Sequence, residues 1–215
     1  GLIDENGEMV FGDQILGILA KDMLSRNKGE KVIFDVKCSQ GLEEIILKEG
    51  GKPIMHKTGH SLLKRKMKEE NALLAGEMSG HMFFNEDFFG FDDGLFASLL
   101  VLRILSERKI KLSELKKEMP YYISTPEIRV DTTEEDKFNI VDEIVGHYKK
   151  EGYRVIDIDG ARVYFDGGWA LVRASNTQPI LVVRFEAKTK EQMDAIRSYV
   201  RDVLASHRNV DIKNV

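Results

Sequence analysis

Residues 72–84 read Ala72-Leu73-Leu74-Ala75-Gly76-Glu77-Met78-Ser79-Gly80-His81-Met82-Phe83-Phe84. A short apolar run ends in a carboxylate, a hydroxyl and an imidazole, set between two glycines and followed by an aromatic pair. Such a run, bounded by a turn signal, predicts a buried strand over 72–75. Glycine permits positive φ and close approach of a ligand to the backbone. Polar groups at the carboxyl end of a strand are where open α/β sheets take small molecules. The same pattern also fits a plain strand-to-helix turn with solvated polar residues, so the stretch alone leaves both readings open.

The surrounding sequence repeats the strand-helix rhythm. Apolar strands are predicted over 32–36 and 53–56, and helices over 13–26, 41–49, 62–71 and 95–108. Gly50-Gly51 ends the second of these helices. Alternation of this kind predicts a mainly parallel sheet with helices on its faces. Ahead of it, residues 2–11 read as two short strands around an Asn6-Gly7 turn. A hairpin starting at residue 2 leads to the expectation that further chain precedes it.

After Pro126 the rhythm changes. A strand over 127–131 and a helix over 133–150 come first, with Thr133 and Asp136 spaced as a capping box. Strands over 154–158, 161–165, 169–173 and 180–187 follow without intervening helices, turning at Asp159-Gly160 and Gly167-Gly168. A helix over 190–206 closes the chain. This is the pattern of an α+β domain with a four-stranded antiparallel sheet. Residues 112–122 read as a connector.

Composition narrows the function classes. The 215 residues are 42% hydrophobic and 32% charged, with a net charge of −4 and no long block of one sign. Neither a nucleic-acid nor a membrane partner is expected. No apolar run approaches the ~18 residues of a spanning helix, and the first residues lack a signal-peptide shape. A single cysteine, Cys38, excludes an internal disulfide and leaves a reducing cytoplasm as the expected compartment. Cys38 itself reads as a small packed residue.

Three further groups carry chemistry. Arg173-Ala174-Ser175-Asn176-Thr177-Gln178-Pro179 joins two apolar strands; an arginine fork beside short donors suits a phosphate, although Ser and Asn are also ordinary turn residues. Arg184, on the next strand, reads as a support for that charge. Lys37 ends its strand as Glu77 ends its own, placing a cation where a phosphate could sit. His60, after Gly59, is either a ligand group or a capping residue. Asp157-Ile158-Asp159-Gly160 reads as a hairpin rather than a metal loop, and Asp92-Asp93 as N-terminal caps of the 95–108 helix.

Together these segments resemble a known family. Gly76-Glu77-Met78-Ser79-Gly80-His81, Phe89-Gly90-Phe91-Asp92-Asp93-Gly94 and Arg173-Ala174-Ser175-Asn176-Thr177 with Pro179 occur in the order seen in α-D-phosphohexomutases. Phe34-Asp35-Val36-Lys37-Cys38 and Lys57-Thr58-Gly59-His60 extend the resemblance over essentially the whole chain. Met78 favours the bacterial phosphomannomutase/phosphoglucomutase branch over the phosphoglucosamine mutases.

The resemblance implies the C-terminal half of a four-domain enzyme. Residues 1–12 would be the tail of the second domain, 13–117 an α/β sugar-binding domain, and 118–215 an α+β phosphate-binding domain. Glu77 and Ser79 would bind sugar hydroxyls, Arg173, Ser175, Asn176 and Thr177 a phosphate, and His60 a further sugar or phosphate contact. His81 and Lys37 would serve the reacting end as acid/base or charge-stabilising groups. The implied reaction interconverts mannose or glucose 1- and 6-phosphates through a phosphoserine and a hexose 1,6-bisphosphate, with Mg2+. The family's phosphoserine loop (Thr-x-Ser-His-Asn-Pro) and magnesium loop (Asp-Gly-Asp-x-Asp-Arg) do not occur in these residues, so the chain is expected to be inactive without N-terminal domains of the same protein. The alternatives are a non-catalytic sugar-phosphate binding module and a fragment of a phosphoglucosamine mutase.

Overall fold

A computed structural model of the chain describes residues 1–86 and 88–215. The chain divides into two compact units, Gly1–Tyr121 and Tyr122–Val215, each built on its own apolar core.

The first unit opens with a hairpin of β1 (Leu2–Ile3) and β2 (Met9–Val10), with Leu2 opposite Val10. The Asp4 carboxylate accepts from the Asn6 and Glu8 amides at 2.9 and 3.0 Å and fixes the turn. There follow α1 (Gly12–Arg26), β3 (Lys31–Asp35), α2 (Gln40–Lys48), β4 (Lys52–His56), α3 (His60–Glu70), β5 (Leu74–Gly76), β6 (Met82–Phe84), α4 (Gly94–Arg108) and α5 (Leu112–Lys116). The sheet order is β4-β3-β5-β6, with β4 and β5 parallel to β3 and only β6 antiparallel. The mainly parallel sheet expected from the strand-helix alternation is therefore present.

Side chains leave a strand on alternate faces, and the two faces have different partners. Val32, Phe34, Leu74 and Met82 join Leu16, Leu19 and Met23 of α1 and Leu42 and Ile46 of α2. Ile33, Ala75 and Phe83 meet Leu63 and Met67 of α3 on the other face. The result is three layers, α/β/α. On α4, Ala97, Val101 and Ile104 point inward, while Leu95, Leu99 and Leu102 remain exposed despite their apolar character. Two elements lack a local signal. The aromatic pair after the polar loop is the three-residue strand β6, and the expected connector contains α5. Behind α5, Glu118 accepts from Arg108 at 2.5 and 2.9 Å and from Lys21 at 3.0 Å. The Arg108 hydrogen bonds, followed by Lys21, pull its carboxyl down to about 2.

The second unit contains β7 (Ile123–Ser124), β8 (Ile128–Asp131), α6 (Lys137–Lys150), β9 (Arg154–Ile156), β10 (Ala161–Phe165), β11 (Gly168–Ala174), β12 (Ile180–Ala187), α7 (Lys190–Ala205) and a final 3-10 turn, Ile212–Asn214. All pairings are antiparallel, in the order β9-β10-β11-β12. The sheet has six strands rather than four, because β8 and β7 share the free edge of β12, with Ile128 opposite Val183 and Ser124 opposite Glu186. Pro126 lies between them and has no N–H for the ladder, which divides this edge into two short pieces. Helix α6 starts at Lys137, later than expected. Thr133 and Asp136 pair reciprocally in the turn before it, Thr133 Oγ1 accepting the Asp136 amide at 3.1 Å and donating to its carboxylate at 2.6 Å.

Helices α6 and α7 cover one face of this sheet through Ile140, Ile144, Tyr148, Ile196, Val200 and Leu204. The opposite face carries buried polar groups. The Arg162 guanidinium lies 3.8 Å from the Trp169 ring centre, and Trp169 Nε1 donates to Glu186 at 2.8 Å. Arg184 belongs to this group, 5.9 Å from the same ring. No helix among the described residues is long and apolar enough to cross a membrane.

Candidate functional site

Parallel pairing brings three sequence motifs to one edge of the first sheet. Asp35, the last residue of β3, sits opposite His56, the last of β4. Phe34 sits opposite Gly76, the last of β5. The segments leaving these ends hold Lys37, His60 and the Glu77–His81 turn, where a parallel sheet opens toward ligands.

Glu77 is only 4% exposed. One carboxylate oxygen accepts the Gly59 amide at 2.8 Å, and the other accepts the Ser79 hydroxyl at 2.9 Å. The turn closes through Glu77 N–H to the His81 carbonyl and Gly80 N–H to the Glu77 carbonyl, both at 2.9 Å. Gly80 takes φ +98°, a conformation that side-chain-bearing residues avoid. A carboxylate offers about four acceptor sites, so Glu77 keeps capacity for incoming hydroxyls while its orientation is fixed.

Two residues outside the predicted set build the floor of this turn. Asp35 is fully buried. Its oxygens accept the Lys37 amide at 2.7 Å, the Cys38 thiol at 3.8 Å and the Met78 amide at 3.0 Å. Burial pushes the Asp35 carboxyl up, against the opposing charge of Lys37. Gly12 starts α1 directly beneath the turn. A Cβ there would lie 2.5 Å from the Met78 carbonyl oxygen, 2.7 Å from that of Glu77 and 2.8 Å from the Gly80 nitrogen. Helix and turn therefore touch backbone to backbone.

His60 opens α3 after Gly59, whose φ is +141°. His81 Nδ1 lies 2.6 Å from Asp92 Oδ2, and His60 Nε2 lies 3.7 Å from the same oxygen. Asp92 thus has a different role from the capping expected of it. Asp93 alone caps α4, accepting the Phe96 amide at 2.8 Å. His60, His81 and Asp92 each present a ligand atom within 4.8 Å of the others.

In the second unit, the loop between β11 and β12 holds the other predicted group. Arg173 is 8% exposed and forks onto Asp159 at 3.2 and 3.3 Å. Gly160 permits this approach: a Cβ there would meet Arg173 Cβ at 2.5 Å. The Asp157–Gly160 stretch is therefore a hairpin, as expected, but Asp159 has a charge to hold. The Ser175 amide donates to the Ile180 carbonyl at 3.0 Å, and the Thr177 amide to Ser175 Oγ at 3.3 Å. Asn176 and Thr177 are exposed. Lys137, 1% exposed, donates to the Gln178 carbonyl at 3.2 Å and to Glu134 at 2.6 Å. Nothing in the sequence distinguishes this lysine from a solvated one at the start of a helix.

The first unit thus gathers Lys37, His60, Glu77, Ser79 and His81, while the second gathers Arg173, Ser175, Asn176 and Thr177. The chain is a three-layer α/β/α unit with a polar turn at its strand ends, joined in sequence to an antiparallel α+β unit with an arginine loop. Two family descriptions match it: "Phosphoglucomutase/phosphomannomutase, alpha/beta/alpha domain III" over residues 11–122, and "Phosphoglucomutase/phosphomannomutase, C-terminal domain" over residues 127–203. The chain belongs to the phosphoglucomutase/phosphomannomutase family.

Among its relatives, the phosphomannomutase/phosphoglucomutase of Pseudomonas aeruginosa is 46% identical over 204 residues, covering 95% of this chain and 44% of the relative. The phosphoglucomutase of Neisseria meningitidis serogroup A is 45% identical over 212 residues, covering 98% of this chain and 46% of the relative. A crystal structure of a phosphoglucomutase/phosphomannomutase family protein from Burkholderia thailandensis superposes with a TM-score of 0.87 at 39% identity, over 95% of this chain and 43% of that one. The chain therefore spans a little under half the length of the relatives it matches.

The magnesium implied by the family does not fit the donors present. Among the described residues, the candidate metal-ligand group is His60, His81 and Asp92. Mg2+ takes oxygen ligands in octahedral geometry, and two imidazoles suit other ions.

Proposed function

We propose that this chain supplies the substrate-holding half of a phosphohexomutase acting on mannose or glucose phosphates. The observation that carries the reading is Glu77, buried and oriented by Gly59 and Ser79 at the open end of a parallel sheet. A carboxylate so fixed accepts from two neighbouring sugar hydroxyls. Adjacent hydroxyls nearly exchange places when a hexose is turned end for end, so one carboxylate serves a sugar presented with either its 1- or its 6-position forward. Ser79 adds a hydroxyl to the same turn.

In the second unit, Arg173 with Ser175, Asn176 and Thr177 takes the phosphate that does not react. Arg173 is already desolvated and held in its fork by Asp159, so a phosphate exchanges one anion for another. A guanidinium suits that geometry because it donates two parallel hydrogen bonds. Lys37, beside the buried Asp35, supplies positive charge near the sugar turn. His81, held by Asp92, is placed to carry a proton, and His60 adds a sugar or phosphate contact. None of these residues is the phosphoryl donor. In this reading the donor and its metal belong to N-terminal domains of the same protein.

The test is titration of the full-length protein with mannose 1-phosphate. Glu77→Ala and Arg173→Ala are each expected to weaken binding about tenfold or more, the equivalent of ~1.5–3 kcal/mol for a charged hydrogen-bond partner. Unchanged affinity and turnover in both variants overturn the proposal.

A further inference from the structure

We propose that His60, His81 and Asp92 form a binding site for a transition-metal ion of the zinc class. The three ligand atoms come from separate segments: the first residue of α3, the end of the turn after β5, and the segment leading into α4. All lie within 4.8 Å of one another. Ligand atoms about 2.0–2.2 Å from a tetrahedral Zn2+ stand about 3.3–3.6 Å apart. The observed separations from Asp92 Oδ2, 2.6 Å to His81 Nδ1 and 3.7 Å to His60 Nε2, bracket that range. The 2.6 Å pair must open by up to about an ångström, and side chains 47%, 48% and 25% exposed have the freedom to make that adjustment.

The supports of the three ligands are also in place. Asp92 Oδ1 accepts the Met82 amide at 3.1 Å, which aims the other oxygen at the imidazoles. The Asp92 backbone bridges to Phe83 of β6, so this ligand stands on the sheet rather than on a free loop. His60 packs edge-on against the buried Phe83 ring, 4.8 Å between centres, and edge-on to His81 at 5.4 Å. Partners of this kind fix ligand orientation and sharpen affinity. Two imidazoles and one carboxylate select zinc, nickel or copper over magnesium or calcium, and solvent completes the coordination.

An ion here occupies His81 Nδ1 and the Asp92 oxygen that otherwise pair with each other. On the mutase reading, which this consequence alone requires, such an ion competes with the hexose phosphate.

The test uses the 215-residue chain, freed of metal, titrated calorimetrically with Zn2+ and followed by visible absorption with Co2+. One equivalent is expected to bind, and Co2+ to give the visible band of a low-coordinate nitrogen-oxygen site. His81→Ala, His60→Ala and Asp92→Asn are each expected to weaken binding about tenfold or more, with unchanged circular dichroism. His207→Ala, a half-buried histidine in the second unit, is expected to leave it intact. No saturable binding by the unmodified chain, or equal binding by all three site variants, overturns the proposal. The zinc titration involves no sugar, so its failure and that of the mutase reading are read separately.

Discussion

Lys137 shows how one side chain can hold the β11–β12 loop without belonging to it. Its ammonium is 1% exposed and reaches the Gln178 carbonyl in the β11–β12 loop. Lys137→Met keeps the packing of the stem but removes one of two donors to that carbonyl, leaving the Ile180 amide at 2.9 Å, and loses a charge-assisted hydrogen bond worth ~1.5–3 kcal/mol. Urea unfolding should show the loss, and amide exchange at Ser175 and Thr177 should quicken. Unchanged exchange at both would mean that the loop is held by other groups. At this scale the sequence marks where polar groups cluster in short motifs, the turn at Glu77 and the loop at Arg173, although each alone also fits an ordinary turn. It was not legible for Lys137, Asp35 or Asp159. A lone lysine, a strand-end aspartate and a hairpin aspartate look the same whether or not a partner arrives from elsewhere in the chain. Asp92 and Asp93 are adjacent and chemically identical, yet one holds an imidazole and the other caps a helix.

Between elements, the decisive contact is the start of α1 against the Glu77–Gly80 turn. Gly12→Ala places a methyl 2.5–2.8 Å from three backbone atoms of that turn, and backbone does not swing aside as a side-chain tip does. The variant should lose ~1–3 kcal/mol of stability and bind mannose 1-phosphate more weakly in the full-length protein. Gly146→Ala in α6, where the added methyl meets open space, is the control and should be neutral or slightly stabilising. Normal stability and affinity in Gly12→Ala would show that the turn is not seated by the helix. The longer elements were readable from periodicity, within a residue or two at most ends. The short ones were not. β6, β7 and α5 are three, two and five residues long, too short to express a period; neighbouring strands complete the hydrogen bonds of β6 and β7, and the Glu5 carboxylate accepts the Ser113 amide at the start of α5.

For the whole molecule, the expectation is binding without transfer. On the proposed reading the residues around Glu77 and Arg173 hold hydroxyls and phosphate, and the one metal-ligand group among the described residues, His60, His81 and Asp92, is not of magnesium type. A coupled assay of the 215-residue chain with mannose 1-phosphate or glucose 1-phosphate should therefore show no turnover above the protein-free control. Turnover would require a phosphoryl donor within these residues and would refute the division of labour proposed above.

The sequence by itself determined the class of each half. Strand-helix alternation, then strands in succession, are local patterns that survive without knowing any contact. It also placed the two polar clusters at element ends, because glycines and a proline mark those ends wherever they fall. Only the tertiary structure decided what the clusters touch. Asp35 and Met78 are 43 residues apart in the chain and 3.0 Å apart in space, joined because β3 and β5 run parallel with Phe34 opposite Gly76. The two histidines share one aspartate for the same reason: strand register places side chains from distant segments within bonding distance, and register is settled by packing across the sheet, which no local pattern contains.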